Sequence, residues 1–155
     1  MNNLWAPWRM EYITRPKDQC CIFCTAQKES NGYILTSGKH CFSIMNRFPY
    51  TSGHCMVAPY RHVSDLTDLN QEELSEMMSM TQEILAAIRT TMNPEGFNVG
   101  CNLGTAAGAG IADHLHMHIV PRWKGDTNFM PVLGSVHVIS EYITCTRDKI
   151  RENLP

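Results

Sequence analysis

His114-Leu115-His116-Met117-His118-Ile119-Val120-Pro121 is the stretch on which the reading of this chain turns. Histidines and apolar residues alternate, the pattern of a half-buried β-strand whose side chains point to opposite faces in turn. Leu115, Met117 and Ile119 are then expected in the core, with His114, His116 and His118 in a row on the other face. A helix would not do this, because it would turn the middle histidine roughly 200° away from its neighbours. Three imidazoles in one row either hold a metal or handle a charged substrate. The plainer alternative is a histidine-rich strand on a solvated face, but strand interiors favour β-branched and aromatic residues.

Just upstream lies Asn102-Leu-Gly104-Thr-Ala-Ala-Gly108-Ala-Gly110. Small residues let backbone N–H groups approach an anion closely, as in a phosphate-binding nest. Alone, such a loop is as readily a flexible turn. Leading into three histidines, it becomes a candidate phosphate cradle beside a nucleophile. An imidazole with an unperturbed pKa near 6.5 is largely neutral at about pH 7, so it can attack phosphorus. A covalent phosphohistidine-type intermediate would divide one difficult displacement into two easier ones.

The remaining chain frames these segments. Its 155 residues, 43% hydrophobic, are enough for one domain with a real core, read as spanning 1–155. Residues 1–19, with Trp5, Trp8 and Tyr12 interrupted by Pro7 and Pro16, read as an aromatic arm. Tyr33–Thr36 and Cys41–Met45 flank Ser37-Gly38-Lys39 as a hairpin, and His54–Ala58 is a third strand. Asn70 and Glu73 form a capping box that opens a long amphipathic helix. Leu74, Met77, Met78, Thr81, Ile84, Leu85, Ile88 and Met92 recur along it, and Asn93-Pro94 closes it. Phe97–Leu103 is a fourth strand, the histidine segment a fifth, and residues 139–154 a C-terminal helix. The expected class is α+β: an antiparallel sheet of about five strands, one long helix and a C-terminal helix.

A net charge of −2 offers no electrostatic footprint for nucleic acid. No apolar run reaches the length of a membrane span, and the N-terminus does not read as a signal peptide. Seven scattered cysteines, at 20, 21, 24, 41, 55, 101 and 145, then read as reduced thiols in a cytoplasmic protein. Cys21-Ile-Phe-Cys24 has the spacing of half a zinc site, with free buried thiols as the alternative.

The His-φ-His-φ-His-φ-φ pattern of residues 114–120, φ being apolar, resembles the signature of the histidine triad superfamily. Asn46-Arg-Phe-Pro-Tyr-Thr-Ser-Gly53-His54 is similar to that family's nucleotide-binding strand and turn, and Pro59-Tyr-Arg-His62 to its next segment. Leu4-Trp-Ala-Pro-Trp-Arg-Met10 and His118-Ile-Val-Pro-Arg-Trp123-Lys-Gly-Asp126-Thr-Asn128-Phe129 look like the bacterial branch that includes diadenosine tetraphosphate phosphorylases. The resemblance implies the histidine triad fold, a homodimer, and chemistry on adenine nucleotides. His116 would be the nucleophile, with its Nδ1–H held by the carbonyl of His114, and His118 would contact phosphates and assist the leaving group. Asn46 would bind ribose, and Asn102, Gly108 and Gly110 the reacting phosphate. Phe42 and Ile44 would wall the base pocket. His62 and His114 would join Cys21 and Cys24 around a structural zinc ion.

Where many members carry Gln-Ser or Gln-Thr just before the triad, this chain has Gly110-Ile111. That puts side-chain hydroxyl help to the leaving group in doubt and favours the phosphorylase branch, in which inorganic phosphate accepts the nucleotidyl group. Arg122 or Lys124 would then meet distal phosphates, with ordinary solvated charge as the plainer reading of both. Alternatives are a dinucleoside polyphosphate hydrolase, a nucleoside phosphoramidate hydrolase, a nucleotide-binding signalling module without turnover, and a hydrolase with all three histidines on one zinc ion. His54 is read as either near the site or structural, His40 and His137 as surface, and Asp113 as an acid just outside the triad.

Overall fold

The structure, a computed structural model, describes residues 21–26, 32–127 and 138–155. The aromatic arm, Cys20 and His137 lie outside these. The elements in chain order are helix α1 (Ile22–Ala26), strands β1 (Ile34–Ser37), β2 (Cys41–Met45) and β3 (Cys55–Pro59), helix α2 (Gln71–Met92), strands β4 (Gly96–Cys101) and β5 (Met117–Arg122), and helix α3 (Ile143–Arg151). Short 3₁₀ turns occupy Leu66–Asp68 and Thr105–Ala107. The strands form one antiparallel sheet in the order β1-β2-β3-β5-β4. The α+β class and its five strands are those the sequence predicts.

Helix α2 begins where local chemistry places it. The Asn70 side chain accepts from the Glu73 N–H, and the Glu73 carboxylate accepts from the Asn70 N–H, so two otherwise orphaned donors are satisfied. It ends at Asn93, in the left-handed region at φ 47°, before a proline that cannot continue the ladder. Met77, Met80, Thr81, Ile84, Ala87 and Ile88 are buried. Leu74 and Met78 are not, at 39% and 45% exposed. At about 100° per residue, Met78 is turned a quarter-circle away from Met77, outside the stripe that faces the sheet. Helix α3 starts at Ile143, four residues later than the expected 139, and buries Thr146 and Ile150.

One face of the sheet is covered by a helix and the other only in part. Helix α2 packs on one, over a core that includes Val57, Leu115, Met117 and Ile119. On the other face α1 sets Phe23 over a second cluster of Phe42, Ile44, Met56 and Ala58. The alternation in the histidine segment is therefore obeyed, with its apolar set toward α2. Regular pairing begins only at Met117, however, and His114–His116 form a lead-in outside the ladder, anchored by the Leu115 N–H on the Val63 carbonyl. Pro121 is tolerated inside the sheet because its nitrogen side faces past the end of β3, whose last pair is Cys55–Ile119. There its carbonyl accepts from the Thr51 hydroxyl instead. Gly53, at φ 81°, turns the chain into β3 where an added Cβ would lie 2.8 Å from Met92 Sδ.

Candidate active site

Backbone groups select the tautomer of each triad histidine. His116 Nδ1 lies 2.8 Å from the carbonyl of His114. A carbonyl only accepts, so Nδ1 carries the proton and Nε2 presents a lone pair. His114 Nε2 lies 2.9 Å from the Pro59 carbonyl, so it is the donor and Nδ1 is left as the ligand atom. Burial lowers the proton affinity of both rings and keeps them neutral.

The third tautomer is set through His54. The Tyr50 N–H donates to His54 Nδ1 at 3.1 Å, so that nitrogen is unprotonated. His54 Nε2 must then be the donor in its 2.9 Å contact with His118 Nδ1. His118 is left with an Nε2–H directed away from this pair, a hydrogen-bond donor beside the lone pair of His116. The two rings pack edge to face, 4.7 Å between centroids. The Tyr50 ring covers His54 at 4.5 Å, and Asn46 Nδ2 reaches His54 Nδ1 at 3.3 Å while its Oδ1 accepts from the Phe48 N–H.

Burial, then the neighbouring His118 and His116, push His54 down to about 3, and burial with His116 pushes His118 down to about 4. Both stay neutral in the fold while an unfolded histidine protonates near pH 6.5. Their contribution to stability is complete above about pH 6.5 and is lost as the pH falls toward those lower values. Acidification to about pH 5 should remove up to about 2 kcal/mol per histidine. Urea unfolding at pH 7.5 and 5.0 reads this. The His54→Gln variant should flatten the dependence, and an unchanged slope would assign the acid sensitivity to other groups.

The sequence-expected residues take the following places. Phe42 is wholly buried and stacked on Tyr60 at 5.4 Å, while Phe23 approaches the His116 ring at 4.8 Å. Ile44 lies in the same apolar cluster, only 7% exposed. Asn102 lines a cavity shared with His118. In the glycine loop, the N–H groups of Ala107, Gly108 and Ala109 bond back to Gly104 and Thr105, closing the loop's own turn. The N–H of Gly110 is in no such turn bond. Arg122 faces the cavity and pairs with Asp126 at 2.6 Å, whereas Lys124 projects outward near Glu95 at 3.8 Å. Asp113 is exposed, and His40 is half-buried, not on the open surface. Tyr50 and Phe23 were not picked out individually. An aromatic in a loop and another between two cysteines have no period or spacing to mark them.

Cys21, Cys24, His62 and His114 converge, their ligand atoms all within 4.8 Å of one another. Cys21 Sγ is 3.2 Å and Cys24 Sγ 3.6 Å from His114 Nδ1, and Cys24 Sγ is 3.4 Å from His62 Nδ1. Tetrahedral bonds of about 2.0–2.3 Å place ligand atoms roughly 3.3–3.8 Å apart, so this donor set could hold one metal ion. His114 thus faces the cysteines through its ring while its carbonyl orients the His116 ring. Among the described residues no helix is long and apolar enough to cross a membrane.

Comparison with known proteins agrees with this geometry. The family model for the HIT domain matches residues 27–125. A protein of Mycobacterium tuberculosis named AP-4-A phosphorylase is 40% identical over 158 residues, spanning 95% of this chain and 81% of that protein. The crystal structure of a hypothetical histidine triad nucleotide-binding protein from Sulfolobus tokodaii superposes with a TM-score of 0.72 at 26% identity, covering 86% of this chain and 91% of its own. A zinc-bound histidine triad family protein from Mycobacterium smegmatis superposes with a TM-score of 0.69 at 27% identity, with the same coverages. The triad, its fold and its relatives agree, and the chain belongs to the HIT domain family.

Proposed function

We propose that this protein cleaves diadenosine tetraphosphate by phosphorolysis, through a nucleotidyl intermediate on His116. The observation that carries the reading is the pair of complementary tautomers, a lone pair on His116 Nε2 beside a proton on His118 Nε2. The Nε2–P bond forms as the P–O bond to the departing ATP breaks, and ATP leaves as the anion, its developing charge met by a hydrogen bond from the neutral His118 Nε2–H. An oxygen of inorganic phosphate then attacks the same phosphorus, the P–N bond breaks, and ADP leaves. Asn46 holds the ribose, and Asn102 with the Gly104–Gly110 loop lies against the phosphates. The choice of phosphorolysis draws on the 40% identity to the mycobacterial AP-4-A phosphorylase and on Gly110-Ile111 before the triad.

Zinc is the metal this Cys₂His₂ set fits best. Bound there, it supplies a structural crosslink with no coordination position left for water. The working unit is read as a cytoplasmic homodimer. Leu74, Met78 and Val99 are exposed apolar residues, and β4 is an edge strand that a second copy can cover.

Product analysis separates the possibilities. With inorganic phosphate present, diadenosine tetraphosphate should yield ADP and ATP. Without it, turnover should fall at least about tenfold and give AMP and ATP, because water must replace a specifically bound acceptor. Equal rates and AMP plus ATP in both buffers would make the enzyme a hydrolase.

A further inference from the structure

Beyond the triad, the sheet face divides into two unlike halves. One cross-strand row runs Ile44, Met56, His118, Gly100. On β2 and β3 this face is apolar and covered by Phe23. On β5 and β4 it opens into a cavity of about 420 Å³, within the size range of small-molecule sites. His118 stands at the boundary, so the hydrogen bond its Nε2–H offers a leaving group is made at the cavity mouth.

Away from Asn102, the cavity walls are those of a nucleoside site. The Tyr50 ring, 54% exposed, offers a stacking surface, and Val120 an apolar wall. Gly100 carries no side chain and has nothing within 4 Å of where a Cβ would stand, which leaves a flat slot. At the far rim Arg122 is held by both oxygens of Asp126, so its charge is already countered. Arg122 Nη1 also donates to Asn98 Oδ1 at 3.0 Å, which turns the Asn98 amide nitrogen into an available donor. Donors at the rim suit ring nitrogens or ribose hydroxyls.

We propose that the cavity between Tyr50, Gly100, Asn98 and Arg122 binds the nucleoside of the departing half of a dinucleoside polyphosphate. This rests on the proposed function and assigns its second nucleoside a place. The enzyme then recognises both ends of its substrate: the departing nucleoside goes to the β4–β5 half, and the reacting phosphorus lies beside His116 and His118.

The test compares diadenosine tetraphosphate with adenosine 5′-tetraphosphate, which has the same phosphate chain and lacks the second nucleoside. Wild-type kcat/KM should be about tenfold or more higher for the dinucleoside, as expected for one stacked base. Gly100→Leu, which fills the slot, and Asn98→Ala should each lower kcat/KM for the dinucleoside about tenfold. Both should leave adenosine 5′-tetraphosphate within twofold of wild type, a split that a general disturbance of His118 would not produce. Circular dichroism confirms that each variant folds. Variants that lower both substrates equally, or neither, overturn the assignment while leaving the triad chemistry intact. A wild-type enzyme that cleaves neither compound overturns the proposed function, and this assignment with it.

Discussion

His116→Ala is expected to abolish turnover, by about 10⁴-fold or more, while nucleotide binding stays within about tenfold of wild type. The substitution removes the attacking nitrogen. It leaves the His118–His54–Tyr50 chain that orients the hydrogen-bond donor, and it leaves Asn46. His116 is 5% exposed and lies between Phe23 and His118, so truncation opens a small cavity without unpairing a charge. Only the His114 carbonyl loses a partner. Rapid quench and intact mass measurement on the wild type should show one added nucleoside monophosphate, labile to acid and absent from the variant. Substantial residual turnover by His116→Ala would falsify the covalent mechanism.

Loss of the metal centre should have the other large effect. Helix α1 is a single short stretch, Ile22–Ala26, and five residues cannot hold a helix in water alone. Its attachments are Phe23 in the second apolar cluster and the two cysteines beside His62 and His114. Structural zinc sites contribute folding free energy outright, about 10 kcal/mol or more in small zinc domains. We expect Cys24→Ser to purify with less than about a tenth of the wild-type zinc, which should be about one ion per chain. Its thermal midpoint should drop by roughly 10 °C or more. Metal analysis beside a thermal melt checks both. Full zinc and full stability in Cys24→Ser would rule out this ligand set. Chelation that stops turnover with no change in the melting profile would rule out a structural role.

How far the sequence carries the argument depends on the range of the interaction involved. Period-2 alternation around His116, helical spacing with the Asn70–Glu73 cap, and the Cys21–Cys24 interval are local patterns. They already specify the α+β class, the long helix with its start and end, the sheet face the triad occupies, and half of a metal site. They do not specify partners far apart in the chain. His54 is 64 residues from His118, yet the 2.9 Å bond between them sets where the site's proton resides. Nothing in the spacing of Gly53-His54 distinguishes this role from a structural one. Cys21 and His114 are 93 residues apart and meet only because α1 lies over β2 and β3, beside the segment that leads into β5. The burial of Phe42 and the division of the sheet face into a covered and an open half follow from the strand order β1-β2-β3-β5-β4. Periodicity says which way a side chain points, whereas the packing of distant segments sets what it meets there. The chemical identities of the triad were therefore legible from 114 to 118, while their tautomers arise from backbone groups and a histidine that folding brings beside them.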